Sequence, residues 1–256
     1  GLEIAVRLSG RTELSLITLN QSARRDVAAR REALNDADIV ILCLPDDAAR
    51  ESVSLITNDT TRVIDASTAH RTHPKWLYGF PELVGRDQIA EARRVSNPGC
   101  YSTGFIALIA PLVKAGLLPA DWPYVCNAVS GYSGGGKDMI AEFENGPAPT
   151  AWRTYALGLT HKHVPEMQVH AGLAHAPIFA PAVVRAFRGM IVEVPLPLFA
   201  MPKAGSADAL RAALAAHYAG SPVVTVHTEA APSELLMHAD QAPSDRLDLY
   251  VLASPD

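Results

Sequence analysis

The stretch Asp38-Ile-Val-Ile-Leu-Cys-Leu-Pro45 decides the fold reading. Six consecutive apolar residues between an aspartate and a proline are too few for a helix, and an unbroken run of this kind marks a strand buried on both faces of a parallel sheet. Working back from it, residues 23–35 are polar and Arg-rich and read as a helix, and Glu13-Leu-Ser-Leu-Ile-Thr-Leu19 reads as an earlier strand. Before that, Leu2-Glu-Ile-Ala-Val-Arg-Leu8 reads as the tail of a helix closed by Ser9-Gly10. Working forward, residues 46–56 can form the next helix and Thr61-Arg-Val-Ile-Asp65 the next strand. Strands alternating with helices at this spacing imply an open α/β sheet with right-handed crossovers. Such sheets bind ligands beyond the carboxyl ends of their strands, here Pro45, Asp46, Asp65, Ser67 and Thr68.

From Tyr101 onward the texture changes to a second, α+β unit. Residues 102–117 read as a helix, 124–130 as a strand, then a glycine loop, with later strands at Gly189-Met-Ile-Val-Glu-Val194 and Val223-Val-Thr-Val226. Residues 206–218, rich in Ala and Leu, read as an amphipathic helix capped by Ser206. Arg246-Leu-Asp-Leu-Tyr-Val-Leu252 is again strand-like, with a further element expected to follow it. No internal repeat or low-complexity linker interrupts the chain.

Composition narrows the function classes. With 48% hydrophobic and 19% charged residues, the 256-residue chain can bury one large core or two moderate ones, which argues against disorder. Twenty-two Lys and Arg against 27 Asp and Glu leave a net charge of -5, so there is no basic field to hold a nucleic acid backbone. No apolar run approaches the roughly 20 residues of a membrane helix, and no signal-like start is present, so a cytoplasmic protein is expected. Cys43, Cys100 and Cys126 are not spaced as a zinc site or redox pair.

Each cysteine is therefore judged by its neighbours. Cys43 and Cys126 lie inside apolar strands and read as core residues. Cys100 follows the tight turn Ser96-Asn-Pro-Gly99 and precedes a helix opening at Ser102-Thr-Gly104. Amides at a helix start favour the thiolate, which makes Cys100 the candidate nucleophile, against the alternative of a half-buried loop thiol. Its proton partner is sought in His161-Lys-His-Val-Pro-Glu166, with His170 one turn further on. That cluster could also hold a metal or form a solvated basic turn, but Pro165 starts a helix after the histidine pair and no cysteine is close, so no metal is assigned. Ser130-Gly-Tyr-Ser-Gly-Gly-Gly-Lys137 suits a phosphate or a merely flexible loop equally well. Arg71, after the strand ending at Asp65, could grip a planar anion or stand exposed on a loop. Ser22-Ala-Arg-Arg25 lies where dinucleotide folds read the adenosine ribose, and its arginines would favour a 2′-phosphate, unless they simply begin a solvated helix.

Four motifs together resemble the N-acetyl-γ-glutamyl-phosphate reductases of arginine biosynthesis, in particular the shorter of that family's two types. They are Tyr78-Gly-Phe-Pro-Glu82, Ser96-Asn-Pro-Gly-Cys-Tyr101, Val129-Ser-Gly-Tyr-Ser-Gly134 and His161-Lys-His-Val-Pro-Glu166, in the family's order along most of the chain. The related aspartate-semialdehyde dehydrogenases carry a different turn around their cysteine. The resemblance implies a Rossmann-like NADP-binding domain over residues 1–99 and a catalytic and dimerisation α+β domain of the semialdehyde dehydrogenase type over 100–256. It places the nucleophile on Cys100, the acid/base group on His161, and substrate contacts on Arg71, Tyr155, Ser130 and Gly131. NADP contacts fall on Gly1, Ser22, Arg24, Arg25, Pro45, Ser133 and Gly134. Gly1 matches the last glycine of the family's phosphate-binding turn, so the first strand, most of that turn and a C-terminal helix are expected beyond the two ends of this chain.

The implied chemistry is attack by Cys100 on an acyl phosphate, hydride transfer from NADPH to the thioester, and protonation of the oxyanion by His161. His163 would point away from Cys100 if this segment is extended. A homodimer or homotetramer acting on a small acyl phosphate is expected, with no nucleic-acid or membrane partner. The competing readings are a reductase of N-acetyl-aminoadipyl or aspartyl phosphate, a Cys/His acyl hydrolase, and a non-catalytic relative. The α/β front half argues against the hydrolase, which has no use for a dinucleotide domain.

Overall fold

A computed structural model describes residues 2–147, 149–229, 232–240 and 242–254, and Gly1, among the expected cofactor residues, lies outside them. The chain divides into two compact units, Gly1–Pro98 and Gly99–Asp256.

The first unit runs α1 (Leu2–Leu8), α2 (Val27–Asp36), β1 (Ile39–Leu42), α3 (Asp46–Ser54), β2 (Arg62–Asp65), β3 (Leu77–Tyr78), α4 (Pro81–Val84), α5 (Arg86–Glu91) and β4 (Arg94–Ser96). Its strands form one parallel sheet in the order β1-β2-β4-β3. Local signals explain the helix starts and stops. Asp26 caps α2 by accepting from the amides of Ala28 and Ala29, and Asp46, at the start of α3, holds the amide of Thr68 at 2.9 Å. A small core of Val40, Leu42, Ala49 and Val63, flanked by Leu34, Val53, Ile56 and Trp76, sits under one face of the sheet.

Two expectations fail here. Residues 13–19 form no strand, because among the described residues no ladder receives their backbone groups, and Leu14, Leu16 and Ile17 are exposed. The 38–45 run is not buried on both faces, since β1 alternates exposed Ile39 and Ile41 with buried Val40 and Leu42. Cys43 continues the alternation on the outer side and is exposed, not a core residue.

The second unit runs α6 (Cys100–Lys114), β5 (Val125–Gly131), α7 (Gly136–Asn145), β6 (Trp152–Thr154), α8 (Val164–His170), β7 (Ile178–Val184), β8 (Met190–Glu193), α9 (Ala207–His217), β9 (Val224–Val226) and β10 (Leu247–Leu249). A mixed sheet takes the order β6-β7-β5-β8, and β9 pairs with β10 in a separate parallel ladder. Phe105, Ile106 and Ile109 of α6 are buried together with Cys126 and Phe179 of the sheet strands. Gly104 lets the helix approach β8, since a Cβ there would stand 2.8 Å from Val192 Cγ2. Ser206 caps α9 through Ala209 N.

The expected glycine loop at 130–137 is instead the end of β5, a 3₁₀ turn (Tyr132–Gly135) and the first turn of α7. Gly131 is required by packing: a Cβ there would meet Ala186 O and Arg188 N at 2.7 Å. The sequence reading had no β3, β4, β6 or β7. In β7 the signal is masked by Pro181, which ordinarily argues against a paired strand. Pro181 is tolerated because its backbone faces β6, where its carbonyl accepts Tyr155 N at 3.3 Å just beyond the last ladder pair, Thr154 and Ala182, so no ladder donor is needed there. Among the described residues no helix is long and apolar enough to cross a membrane.

Candidate active site

Helix α6 begins at Cys100 itself, two residues earlier than the sequence suggested, because Gly99 is its N-cap in an extended conformation (φ -70, ψ 147). The carbonyl of Gly99 accepts both Thr103 N and Thr103 Oγ1 at 2.9 Å, which closes the first turn. Cys100 is exposed and open to a substrate, whereas Cys126 is fully buried and desolvation pushes its thiol up to about 12.

Around the start of α6 the second unit gathers several further groups. The hydroxyl of Tyr155 lies 3.5 Å from Nε2 of His161. The tight loop between these residues holds Ala156 at φ 53 and Leu159 at φ 57, left-handed conformations that cost non-glycine residues roughly 1–2 kcal/mol each. Tyr155 is kept protonated: burial raises its pKa most, then its hydrogen bond to Tyr101, then the negative charges that Tyr101 and Cys100 would carry. Tyr101, also raised chiefly by burial, shares a 2.6 Å hydrogen bond with Ser130 Oγ and donates to Ala182 O at 3.1 Å. Phe179 packs edge-on against His161 at 5.0 Å between ring centroids.

The 161–163 segment is a turn and not extended, with His163 in the right-handed helical region as N-cap of α8. Strand alternation therefore does not separate the two histidines; their rings stand 4.5 Å apart, and both lie near Tyr101. What separates them is burial and bonding. His163 is buried, and its backbone N–H donates to Nδ1 of the half-buried His161 at 3.1 Å. Buried Glu166 accepts from the amide of Gly99 at 3.0 Å.

Of the expected substrate contacts, Tyr155 joins this group directly and Ser130 joins it through Tyr101. Ser130 Oγ also lies 3.2 Å from Gly131 O, and the Gly131 amide is bonded to Gly189 O at 3.0 Å. Ser133 and Gly134 lie in the 3₁₀ turn, where the Ser133 amide bonds Phe187 O at 3.0 Å and Gly134 is exposed. Sequence reasoning gave no site role to Tyr101, His163 or Glu166, although Tyr101 ends the cysteine motif and His163 and Glu166 stand in the histidine cluster it singled out.

In the first unit Arg71 is buried and not on an exposed loop. Its Nε donates to Asn97 O at 3.0 Å and its Nη2 to Ala66 O at 3.2 Å, tying the carboxyl ends of β2 and β4 together. Beside it Asp65 accepts from Ser67 N, Ser67 Oγ and His70 Nδ1, the last at 2.6 Å. Ser22, Arg24 and Arg25 form an exposed 3₁₀ turn, with Ser22 Oγ on Asn20 Oδ1 and Arg24 Nε on Leu19 O. Pro45 is exposed as the N-cap of α3. A nicotinamide dinucleotide with a 2′-phosphate fits the charge of the exposed arginine pair and the parallel sheet. The start of α3 carries Asp46 and Asp47, whose negative charges oppose that of a phosphate. Among the described residues no three His, Cys, Asp or Glu side chains are grouped to hold a metal ion.

Comparison with known proteins identifies the family. Residues 10–92 match the family model described as semialdehyde dehydrogenase, NAD binding domain. Residues 100–251 match semialdehyde dehydrogenase, dimerisation domain, which supports self-association and a small-molecule substrate. A Burkholderia ambifaria protein named N-acetyl-gamma-glutamyl-phosphate reductase is 53% identical over 94% of this chain and 77% of its own length. Proteins of that name from Rhizobium leguminosarum bv. trifolii (48%, 85% of its length) and, numbered 2, from Pseudomonas putida (50%, 84%) match the whole chain. Among solved structures, aspartate semialdehyde dehydrogenase from Francisella tularensis superposes with a TM-score of 0.54 at 11% identity, over 88% of this chain and 78% of that one. Aspartate semialdehyde dehydrogenase II from Vibrio cholerae does so at 0.50 and 15% identity, over 70% of this chain, which spans 60% of that one. These two likenesses bear on the fold alone. The chain belongs to the semialdehyde dehydrogenase family, in its branch of N-acetyl-gamma-glutamyl-phosphate reductases.

Proposed function

We propose that this chain reduces N-acetyl-γ-glutamyl phosphate to N-acetylglutamate 5-semialdehyde and phosphate, a step of arginine biosynthesis, with NADPH as reductant. The observation that carries the reading is the grouping of an exposed cysteine at the first position of α6 with a tyrosine-backed imidazole in the same unit.

Cys100 attacks the γ-carbonyl as the thiolate, a charge favoured by the partial positive end of α6. The C–O bond to phosphate breaks, a thioester forms, and the departing phosphate takes up one proton. Arg71 supplies positive charge for the substrate's anionic group. When bound, NADPH supplies the hydride that reduces the acyl carbon. His161 offers a hydrogen bond from Nε2–H to the oxygen that becomes negative as the carbon turns tetrahedral, and Tyr155, itself bonded to Tyr101, stands beside that edge of the ring. Collapse of that oxyanion re-forms a carbonyl and returns the Cys100 thiolate, so the net proton of the reaction ends on phosphate. Arg24 and Arg25 are assigned to the 2′-phosphate, Ser22, Pro45, Ser133 and Gly134 to further cofactor contacts, and Ser130 and Gly131 to support of the acyl pocket. The assembly is a homodimer or homotetramer.

The reverse reaction is the direct test. With N-acetylglutamate semialdehyde and inorganic phosphate the protein should reduce NADP⁺, and phosphate should be required. Turnover of aspartate semialdehyde in preference, or phosphate-independent hydrolysis of acyl esters without nicotinamide, would replace this reading.

A further inference from the structure

Glu166 is a buried ionisable group that the mechanism leaves unused. Its side chain is 1% exposed, and a buried carboxylate is costly unless its oxygens are satisfied. Where those oxygens go therefore says what the residue does. Oε2 accepts the N–H of Gly99 at 3.0 Å, a contact spanning 67 residues of chain. Gly99 is the N-cap of α6 and precedes Cys100, and its carbonyl is held at 2.9 Å by Thr103, so the peptide groups leading into the nucleophile are fixed on both sides. Oε1 stands 3.9 Å from Nε2 of His163. His163 in turn holds Nδ1 of His161 through its backbone N–H at 3.1 Å.

One carboxylate thus joins the turn carrying the thiol to the turn carrying the imidazole. An apolar residue of the same volume would fill the space with less desolvation cost, but it could not accept the Gly99 amide. Resting on the thioester chemistry above, we propose that Glu166 is a positioning residue that sets the relation of the Cys100 sulfur to the His161 imidazole by acting through Gly99 and His163. Placement of reacting groups is steep in its effect on rate: about 1 Å of error can cost about 10²-fold.

Two substitutions separate positioning from simple structural support. Glu166→Asp keeps the charge but withdraws the acceptor by one methylene; Glu166→Gln keeps length and acceptor and removes the charge. For the folded Asp variant, kcat should fall by about tenfold or more with KM within about threefold of wild type. Iodoacetamide alkylation of Cys100, read by mass on its own peptide, should slow in parallel. The Gln variant should recover most of both rates. An Asp variant with wild-type kcat and alkylation, or a Gln variant as slow as Asp, overturns the proposal. Should the Asp variant not fold, the Gln variant decides alone: recovery supports the proposal, and a loss beyond about tenfold overturns it. Alkylation needs no acyl phosphate. A wild-type protein inactive on N-acetylglutamate semialdehyde, whose Asp and Gln variants still differ in alkylation, would refute the proposed function while leaving this role of Glu166 standing.

Discussion

The backbone N–H of His163 donates to Nδ1 of His161 at 3.1 Å, and this bond decides which nitrogen of the neutral His161 ring carries the proton. With Nδ1 accepting, the proton sits on Nε2, the edge turned toward the Tyr155 hydroxyl. The ring therefore meets a substrate oxygen as a hydrogen-bond donor. The two histidines divide their work: His161 provides the side chain, and His163 the backbone group that orients it.

His161→Asn should accordingly depress hydride transfer by about 10²–10⁴-fold while Cys100 is still acylated. His163→Asn keeps the backbone N–H but removes the buried ring beside Glu166 Oε1, so it should cost stability and a smaller share of the rate than His161→Asn. Single-turnover measurement of phosphate release and NADPH oxidation on both variants decides the matter. Normal NADPH oxidation in the His161 variant beside a blocked His163 variant would reverse the roles.

Cys100→Ser should abolish turnover with the melting temperature unchanged, because a hydroxyl of similar size is far less acidic than a thiol. Cys43→Ser should leave both activity and stability near wild type, because Cys43 is exposed. A folded Cys100→Ser protein that still reduces NADP⁺ would remove Cys100 from the mechanism.

Stability should fall in alkali in a way that reports on Cys126. Burial raises its thiol from 9.0 to about 12, so the folded state keeps a proton that the unfolded state gives up first. The stabilisation is complete below pH 9 and is lost as pH rises toward about 12, at up to about 1.4 kcal/mol per pH unit. Tyr124, also raised to about 12, adds to the same fall. Urea melts between pH 8 and 11 should show a shallower decline for Cys126→Ala than for wild type; equal slopes would contradict the burial argument.

Replacing Arg24 and Arg25 together with alanine should raise KM for NADP⁺ far more than KM for NAD⁺. Both side chains are exposed, so the melting temperature should hold. An unchanged NADP⁺/NAD⁺ preference would move the 2′-phosphate contact elsewhere.

The sequence by itself determined the features written within a few residues. The alternation of strands and helices, the cap Ser206, the punctuated turn that puts Cys100 at a helix start and the Pro165 that opens α8 are all local signals, and the structure contains them. Only the tertiary structure decided the rest. Whether residues 13–19 are a strand, whether Cys43 is core or surface, and whether Pro181 sits in a sheet depend on which backbone finds a partner, and a sequence pattern does not record its partner. The same holds for the site. Tyr101 meets Ser130 across 29 residues and Glu166 meets Gly99 across 67, contacts that arise when helix α6 packs on the β5–β7 sheet and α8 folds beside it. Side-chain chemistry is carried by the residue, but the burial and partners that turn it to use are set by chain segments far away in sequence.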